Sequence, residues 1–590
     1  MNVLGVNAGR IGLRGPHADH LLADGSAALL CDGRVSRAVI EERLTRARYA
    51  GGFRRSAAKC LESTSLAAID VYALSSCCGT RWSSADAAEH LGSELTAAGL
   101  AKANAIVRAQ RVIVVDHHLS HAMLAFASAP SSAEPTLVCV LDGMGNRLDD
   151  SASEAWWQGR FQRQSYYLAR WVDGLAKFEL VHEEATGADE IGVGEIYRAV
   201  THVLGWHSYQ HAGKTMALAA FGNAHQFPGV SFVQHDSARG IVVPVCNLHD
   251  RPLDQVRQVL RHAGYDLPTA FDPSSVGPEN TVATAIAAIV QRQLEQALVE
   301  RVGSLAERFG VRRVAFAGGV ALNCVALGAV RESLPGLQLH VPCAPADTGQ
   351  ALGNALYAAH AQGSPWASPM APGAVPARCD FGHHYTGHEI AAALENFRLA
   401  RRGSYRIERI RDADRLAATA ADAVAAGAVI GLRQGGAEYG PRALGHASIV
   451  ADPRSAEMHA RVNSHKQREP FRPYAPSILA EHATAWFEDA FPSPFMSFAG
   501  RWRTDAARRV PAVVHVDGSA RYHTVAAGSG FYRRLIEAFM QRSAVPVLLN
   551  TSFNGHGEPI VETPDDALNA LVKMNLDGLV LEDHFITRIT

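Results

Sequence analysis

Short apolar runs alternate with longer alanine-rich stretches along most of the chain. The runs typical of strands include VLGVN, AALLCDGR, TLVCVLDG, RVAFAGG and LQLHVP. Residues 283–310 carry apolar side chains at helical spacing and end at Gly310, which indicates one long helix and its stop. This alternation predicts an α/β fold.

One change in composition divides the chain. Residues 363–382 are rich in proline and glycine, which is typical of a linker between domains. We therefore predict a first domain at 1–362, the linker at 363–382 and a second domain at 383–590. The second domain resumes the α/β pattern with a predicted helix, turn and strand in LAATAADAVAAGAVIGLRQGG.

Charge and cysteine usage limit the classes of function. The formal net charge is −2, so the overall balance does not favour nucleic acid or a membrane surface as a partner. The nine cysteines form no CxxC pair, which predicts a reducing, cytoplasmic setting without a disulfide framework or a zinc ribbon. The start NVLGVNAG lacks the features of a signal peptide, and the apolar runs are too short to span a bilayer.

Three histidines fall within five positions at the end of a predicted strand, in RVIVVDHHLSHAMLAF. On the helix that HLSHAMLAFA predicts, His117 and His121 lie one turn apart on the same face, where two imidazoles can bind one metal ion. Asp347 follows another predicted strand and is a candidate third ligand. The alternatives stay open, because the histidines could pack or bond to backbone and Asp347 could cap the next helix.

Three glycine-bearing turns lie beside predicted strands and helices, in VLDGMGN, AFAGGVALN and HAGKTMALAAFG. Each can bring backbone N–H groups to a phosphate, but none matches the P-loop or the dinucleotide fingerprint, and an ordinary tight turn is the alternative. Together with the opening VLGVNAG they match the layout of the actin, sugar-kinase and chaperone superfamily, in which two related α/β halves close around ATP. The residues of interest are Asp142, Gly213, Lys214, Gly318, Gly319 and Asn323.

The second domain concentrates basic residues in EYGPRALGHASIVADPR and VNSHKQREPFRPYAPS. Arginine recognises phosphate through a planar fork and lysine as a point charge, so bases in turns that contain proline and glycine favour an anion pocket over a solvated face. Farther on, VPVLLNTSFNGHGEPIV ends a buried strand in small polar groups that suit a polar substrate. The candidate residues are Arg442, Arg454, Arg461, Lys466, Arg468, Arg472, Arg521, Asn550, Thr551, Ser552, Asn554, Glu558 and Pro559.

Over nearly its whole length the chain resembles the O-carbamoyltransferases of antibiotic and nodulation-factor biosynthesis, such as the tobramycin and cephamycin carbamoyltransferases. The resemblance is carried, in order, by HHLSHA, GKTMALAAFG, GPRALG, HKQREPFRP and NTSFNGHGEPIV. It implies a first lobe with an actin/sugar-kinase-like fold, similar to the transfer enzyme of tRNA threonylcarbamoyl-adenosine synthesis. It implies a second α/β lobe similar to threonylcarbamoyl-AMP synthase.

The resemblance also implies a mechanism and roles for individual residues. The second lobe would form carbamoyl-AMP from carbamoyl phosphate and ATP, with Mg²⁺ accompanying the ATP. The first lobe, with a metal such as iron(II), would deliver the carbamoyl group to an acceptor hydroxyl. The metal ligands would be His117, His121 and Asp347, and the candidate catalytic residues are Asp24 and Asp142. Carbamoyl phosphate would be bound by Lys466, Arg472, Arg521 and Ser552. The nucleotide would be contacted by Gly213, Lys214, Gly318, Gly319, Asn323, Arg442 and Asn463.

The sequence departs from the family pattern in both lobes. Near the N-terminus the family usually has a histidine where Leu22 or Ala23 stands here. Two histidines a few residues earlier could take its place in space, namely His17 and His20. In the second lobe the family often has arginines where this chain has Gly436 and Ala447, which implies a different phosphate contact or weakened activation chemistry.

We therefore predict a two-lobed, cytoplasmic, ATP-dependent O-carbamoyltransferase that modifies a hydroxyl of a small secondary metabolite such as an antibiotic. No nucleic-acid or membrane partner is expected. The alternative hypotheses are an ATP-dependent kinase or hydrolase of the same superfamily, a tRNA-modifying enzyme, and a non-catalytic scaffold. The sequence leaves open the acceptor, the metal, the role of His118 and the oligomeric state, for which a homodimer is one possibility.

Overall fold

A computed structural model of the chain describes residues 1–7, 24–75, 83–146, 148, 160–186, 190–207, 211–244, 251–267, 269–364, 378–401 and 403–589. The chain divides into two compact units. Residues 1–41 and 49–376 form the first unit, and residues 42–48 and 377–590 form the second. Among the described helices, none has both the length and the apolar character needed to cross a membrane.

The first unit is a mixed α/β structure. Its described strands are, in chain order, β1 (Asn2–Asn7), β2 (Ser26–Cys31), β3 (Arg34–Ile40), β4 (Val71–Ser75), β5 (Arg111–Val114), β6 (Thr136–Leu141), β7 (Phe161–Val172), β8 (Leu175–Thr186), β9 (Gln234–Asp236), β10 (Gly240–Val242), β11 (Arg313–Ala317) and β12 (Gln338–His340). Helix α1 (Glu41–Thr45) begins at Glu41 of the first unit and continues into segment 42–48 of the second. The other described helices of the first unit are α2 (Arg54–Cys60), α3 (Ser84–Ala97), α4 (Ala103–Ala109), α5 (His117–Ser128), α6 (Val193–Val203), α7 (Ala212–Ala219), α8 (Pro252–His262), α9 (Thr281–Phe309), α10 (Cys324–Ser333) and α11 (Gln350–Ala361).

The two five-stranded sheets of the first unit repeat one topology. The first sheet has the order β3-β2-β1-β4-β5, with antiparallel pairing from β1 to β3 and parallel pairing from β1 to β5. The second has the order β8-β7-β6-β11-β12 with the same pairing directions. Two related α/β halves within one unit confirm the predicted actin/sugar-kinase-like fold class.

Helix α11 packs closely on β1 and α5 because glycines leave room for it. A Cβ on Gly5 of β1 would lie 2.1 Å from the carbonyl oxygen of Ala351, and a Cβ on Gly353 would lie 2.2 Å from that of Ser120. Side chains larger than glycine would push these elements apart. The packing places the first turn of α11 beside the first turn of α5, which carries the clustered histidines.

The predicted long helix is α9, and its ends follow from local chemistry. The side chain of Asn280 accepts a hydrogen bond from the backbone N–H of Ala283, and Gly310 ends the helix with a left-handed φ of 63°. On its buried face Arg301 forms an ion pair with Glu184 of β8 at 3.0 Å, with both side chains at most 5 % exposed. The guanidinium also lies 4.8 Å from the ring centroid of Tyr166.

Substituting Arg301 with methionine is expected to destabilise the protein by about 3–5 kcal/mol, because it leaves the Glu184 carboxylate buried without its counter-charge. Urea unfolding monitored by circular dichroism measures this loss. The matched control on the same helix is Arg292→Met, whose ion pair with Glu295 leaves Arg292 64 % exposed. It should cost less than about 1 kcal/mol. Equal losses for the two variants would contradict the expectation.

The second unit is built around one eight-stranded sheet. Its described strands are β13 (Tyr405–Arg409), β14 (Ile430–Arg433), β15 (Ala447–Ala451), β16 (Ala475–Leu479), β17 (Ala499–Arg501), β18 (Ser519–Arg521), β19 (His523–Val525), β20 (Val547–Ser552), β21 (Gly578–Leu581) and β22 (His584–Arg588). The order in the large sheet is β13-β22-β21-β14-β15-β20-β16-β19. Its described helices are α12 (Gly387–Ala400), α13 (Ala413–Ala425), α14 (Glu457–Lys466), α15 (Ala483–Trp486), α16 (Thr504–Arg509), α17 (Gly530–Ser543) and α18 (Pro564–Lys573).

A segment from the N-terminal part of the sequence, residues 42–48, belongs to the second unit. Arg43 is buried there and donates to the carbonyl of Gly440 at 2.7 Å. Arg46 donates to the carbonyls of Pro559 and Ile560 at 2.9 and 2.7 Å. Three carbonyl partners supplied by the second unit explain why this segment folds with it. Of the predicted linker, residues 365–377 lie outside the described part of the chain.

Candidate functional site

Four side chains converge in the first unit, namely those of His117, His121, Asp142 and Asp347, and their ligand atoms lie within 4.8 Å of one another. His117 Nε2 lies 3.0 Å from Asp142 Oδ2, and His121 Nε2 lies 3.2 Å from Asp347 Oδ1. The two histidines and Asp142 are buried, and Asp347 is half-buried. The structure thus brings the three predicted metal ligands together and places Asp142, a predicted catalytic residue, among them.

Each member of the cluster comes from the end of a strand or the start of a helix. The carboxylate of Asp116 accepts a hydrogen bond from the backbone N–H of Leu119 and caps α5. This confirms the predicted strand and helix and places the rings of His117 and His121 one turn apart, with centroids separated by 5.0 Å. Asp142 directly follows β6, and Asp347 lies on the short turn before α11.

The charges of the cluster depend on one another. Burial alone would lower the pKa of His117, but the carboxylates of Asp347 and Asp142 raise it to about 10. Burial and the charge of Asp347 would raise the pKa of Asp142, but hydrogen bonding and attraction to His117 lower it to about 2. Burial opposes ionisation of Asp347 as well, yet His117 and His121 hold its pKa well below the ordinary value. Two ionised carboxylates therefore surround a point that requires a positive charge, either a proton or a cation.

One glycine turn that the sequence associates with phosphate binding supports the cluster. The backbone N–H of Gly319 donates to Asp142 Oδ1 at 3.1 Å. Gly318 has a φ of 89°, and a Cβ there would lie 2.2 Å from the carbonyl oxygen of Leu141. Glycine is therefore needed for the turn to meet the end of β6 and hold Asp142.

The other predicted residues of the first unit have these surroundings. The Asn7 amide donates to the backbone carbonyls of Asp24 and Asp347 at 2.9 and 2.8 Å, so it holds the predicted catalytic Asp24 next to a cluster residue. Asn323, a predicted nucleotide contact, caps α10. Gly213 is exposed in the first turn of α7, and the ammonium of Lys214 lies 5.6 Å from the ring centroid of Trp206.

His118 points to a different place from its two neighbours. Its Nδ1 lies 2.7 Å from the hydroxyl of Ser165, and burial lowers its pKa to about 3. A Cβ on Gly145 would lie 2.6 Å from His118 Nε2, so this glycine allows the ring to pack there. His118 therefore packs beside Ser165 and Gly145 rather than joining the cluster. The candidate substitutes for the family histidine, His17 and His20, lie outside the described residues, as do Leu22 and Ala23.

In the second unit a buried lysine lies at the end of the NTSFN motif. Lys466 Nζ donates to the carbonyl and the side-chain oxygen of Asn554, both at 2.9 Å, and lies 3.4 Å from the hydroxyl of Ser552. The strand β20 ends at Ser552, and α14 ends at Lys466, so these two elements bring the predicted pair together. The predicted nucleotide contact Asn463, one turn earlier on α14, accepts a hydrogen bond from Tyr474.

Two half-buried arginines, Arg468 and Arg472, lie near this lysine, and the half-buried Arg521 lies near both of them. Burial and the charges of Arg468, Arg472 and Arg48 hold the pKa of Lys466 well below its ordinary value. Burial and Arg472 lower the pKa of Arg468 to about 9. Mutual lowering of cationic pKa values marks a pocket with an excess of positive charge, which an anion would relieve.

Two of the clustered arginines have short ion pairs with acidic residues. Arg454 pairs with Asp452 at 2.6 Å, and Arg461 pairs with Asp577 at 2.7 Å, with Arg461 45 % exposed. Spacing in the sequence does not reveal such partners. Arg48 of segment 42–48 acts on Lys466, although no sequence motif pointed to it.

The loop that carries Arg442 is held by one buried carboxylate. Oε1 of Glu438 accepts hydrogen bonds from the backbone N–H groups of Leu444, His446 and Ala447 at 2.7, 2.9 and 3.1 Å. Burial alone would raise the pKa of Glu438, but the nearby His446 and these N–H groups lower it. An ionised Glu438 therefore fixes the GPRALGHA loop.

Replacing Glu438 with alanine is expected to destabilise the protein by about 2–4 kcal/mol, because it leaves three backbone N–H groups without an acceptor, each worth about 1–3 kcal/mol. Glu438→Gln keeps one acceptor oxygen and should lose clearly less stability. Urea unfolding monitored by circular dichroism measures both variants. An unchanged stability of Glu438→Ala would contradict the positioning role.

The structure accounts for one departure from the family pattern. A Cβ on Gly436 would lie 2.6 Å from the carbonyl oxygen of Asp380 and 2.8 Å from that of Gly382. Backbone therefore occupies the space that an arginine side chain at position 436 would need. Ala447, the other departure, is fully buried at the start of β15.

Comparison with known proteins places these two sites in a family. A family model described as carbamoyltransferase N-terminus matches residues 89–356, and one described as carbamoyltransferase C-terminus matches residues 421–588. The nodulation protein NolNO of Sinorhizobium fredii is 32% identical over 96% of this chain and 79% of its own length. NolO of Bradyrhizobium diazoefficiens is 39% identical over 79% of this chain and 78% of its own.

A third relative has an activity in its name. The 3'-hydroxymethylcephem-O-carbamoyltransferase of Amycolatopsis lactamdurans is 38% identical over 28% of this chain and 32% of its own length. The two family models lie in different units of the structure, one around the histidine–aspartate cluster and the other around the Lys466 pocket. The chain belongs to the carbamoyltransferase family and is an enzyme that transfers carbamoyl groups.

Proposed function

We propose that the enzyme forms carbamoyl-AMP from carbamoyl phosphate and ATP in its second unit and transfers the carbamoyl group to an acceptor hydroxyl in its first. The observation that carries this proposal is the pocket of Lys466, Arg468, Arg472 and Arg521 beside Ser552. Carbamoyl phosphate is a dianion at neutral pH, so it matches a pocket whose cations lower one another's pKa.

In the activation step, carbamoyl phosphate, ATP and one water give carbamoyl-AMP, inorganic phosphate and pyrophosphate. Water first attacks the phosphorus of carbamoyl phosphate, whose bond to the carbamoyl oxygen breaks, so that carbamate and inorganic phosphate form. A carbamate oxygen then bonds to the α-phosphorus of ATP, and the bond from that phosphorus to the bridging oxygen breaks to release pyrophosphate. Lys466, Arg472, Arg521 and Ser552 would bind carbamoyl phosphate, and Arg442 and Asn463 would contact the nucleotide. Their contribution is to position the reactants and stabilise the charge that develops on the phosphoryl oxygens.

The first unit would carry out the transfer. Its donor set of two imidazole nitrogens and two carboxylate oxygens fits a divalent ion such as Fe(II), Mn(II) or Zn(II), with His117, His121, Asp142 and Asp347 as ligands. When bound, such an ion supplies a Lewis acid that polarises a carbamoyl or phosphoryl oxygen. Gly318 and Gly319 would form the turn beside the adenylate, Gly213, Lys214 and Asn323 would be further nucleotide contacts, and Asp24 would be a catalytic residue.

The acceptor is proposed to be a small molecule with a free hydroxyl. The support is the relative named as an O-carbamoyltransferase of a hydroxymethylcephem, together with relatives named as nodulation proteins. In the transfer, the acceptor oxygen bonds to the carbamoyl carbon, AMP leaves and the hydroxyl proton is released. A secondary metabolite is the acceptor class that we propose.

The test is to incubate the purified protein with ATP, Mg²⁺, carbamoyl phosphate and Fe(II) without acceptor. Mass spectrometry should detect carbamoyl-AMP, and pyrophosphate should be released in a carbamoyl-phosphate-dependent manner. Pyrophosphate or ADP release that does not depend on carbamoyl phosphate would contradict the proposal and favour a kinase or hydrolase.

A further inference from the structure

The buried amide of Gln350 reaches the ligand atoms of the histidine–aspartate cluster. Its Nε2 lies 2.9 Å from His117 Nε2 and 3.0 Å from His121 Nε2, and it also lies 2.8 Å from His117 Nδ1. The side chain is fully buried in the first turn of α11. Sequence reasoning did not single out this residue, because a glutamine at the start of a helix carries no signal of its own.

The position of this amide matters for any ion in the cluster. Imidazole nitrogens bind such metals at about 2.0–2.1 Å. Because the amide nitrogen of Gln350 lies within 3.0 Å of both histidine nitrogens, an ion bound by them would lie at most about 5 Å from this amide. A cation repels amide hydrogens and attracts an amide oxygen, and the two ends of a glutamine amide have nearly the same shape.

A buried hydroxyl can hold the amide in either orientation. Gln350 Oε1 contacts the hydroxyl of Ser75, which also accepts a hydrogen bond from the Asn354 amide at 2.9 Å. A hydroxyl both donates and accepts, so Ser75 can bond to the amide oxygen or to the amide nitrogen of Gln350. The Asn354 amide also donates to the carbonyl of Val6, which fixes this chain of contacts to β1.

We infer that Gln350 is a fifth protein ligand of the metal, binding through its side-chain oxygen while Ser75 accepts from its nitrogen. The inference deepens the proposed function, on which it rests for the presence of a metal. A neutral amide adds a ligand without changing the charge of the site, which the two carboxylates already balance against a divalent ion. It also leaves one fewer coordination position for substrate than the four-residue set would.

The experiment measures Co(II) binding to the purified metal-free protein by calorimetry and by the visible absorption of the bound ion. Gln350→Leu removes the ligand oxygen at similar size and should weaken Co(II) binding at least about tenfold and change the absorption spectrum. Gln350→Glu retains an oxygen ligand and should bind Co(II) at least as tightly as wild type.

The matched control is Gln293→Leu, whose amide bonds to backbone at Val230 and Phe232 in the same unit. It should leave both readouts unchanged. Unchanged or tighter binding by Gln350→Leu would overturn the inference, because the amide would then be a bystander or an obstruction. Thermal unfolding of each metal-free variant shows whether the variant is folded. If Gln350→Leu is not folded, the Co(II) affinity of Gln350→Glu tests the inference independently. A wild-type protein that binds neither Co(II) nor Fe(II) would contradict the metal in the proposed function itself, which is a distinct outcome.

Discussion

Lys466→Met is expected to reduce the rate of carbamoyl-AMP formation by about 10²–10³-fold, the usual cost of removing one preorganised charged donor. The substitution keeps the length of the side chain, so it removes the charge and the donors more than the packing. Metal binding in the first unit should not change, because the cluster of His117 and His121 belongs to the other unit.

The size of this effect follows from the burial of Lys466. Its ammonium is held at 2.9 Å by the carbonyl and side-chain oxygens of Asn554, at the turn that also carries Ser552. Burial and, after it, the nearby arginines lower its pKa, so an incoming dianion would stabilise the charged form. Methionine offers no donor to the anion, whereas Lys466→Arg restores charge at a site shaped for a smaller head and should recover activity only in part.

The rate is measured from pyrophosphate release and carbamoyl-AMP at saturating ATP. Arg461→Met is the matched control on the same helix, because its guanidinium pairs with Asp577 and is 45 % exposed. It should stay within about twofold of wild type, as surface ion pairs contribute little. A Lys466→Met protein that is folded and still forms carbamoyl-AMP at the wild-type rate would place activation outside this pocket.

The α/β fold and the histidine pair of the cluster could be predicted because their signals are local. The apolar runs form strands, and the helix predicted at 283–310 is α9, which spans Thr281–Phe309. The four-residue spacing places His117 and His121 on one face of α5. Asp347 could be proposed as their partner because strand ends gather in such sheets. Asp142 was recognised as important but not as a neighbour of Asp347, since the distance between the ends of β6 and β12 depends on sheet order.

The remaining features depend on contacts between distant parts of the sequence. Segment 42–48 joins the second unit through hydrogen bonds to backbone carbonyls, among them those of Gly440 and Pro559. No local sequence pattern predicts such partners. Likewise, Arg454 and Arg461 have the composition of an anion pocket but meet Asp452 and Asp577. Arg472 also has an acidic neighbour, Glu469, at 3.5 Å, but it lies close enough to Lys466 to lower the pKa of that lysine. Only the structure shows which charges a basic residue has around it.

His121→Ala is expected to weaken metal binding by more than about 100-fold, beyond the usual cost of changing a residue that merely supports a ligand. The substitution removes one of two imidazoles and leaves the carboxylates of Asp142 and Asp347 with a single nitrogen partner. Carbamoyl-AMP formation should stay within about twofold of wild type, because the Lys466 pocket belongs to the other unit.

The experiment has two readouts. One is the metal content after dialysis against Fe(II), measured by elemental mass spectrometry, and the other is carbamoyl-AMP formation. His202→Ala is the matched control, since His202 lies on α6 of the same unit and contacts His207 rather than the cluster. It should retain the metal. A His121→Ala protein that keeps the metal would remove this histidine from the ligand set, whereas one that loses adenylate formation along with the metal would show that activation depends on the cluster. The separate loss of the two activities in Lys466→Met and His121→Ala is the behaviour expected of an enzyme that divides activation and transfer between its two units.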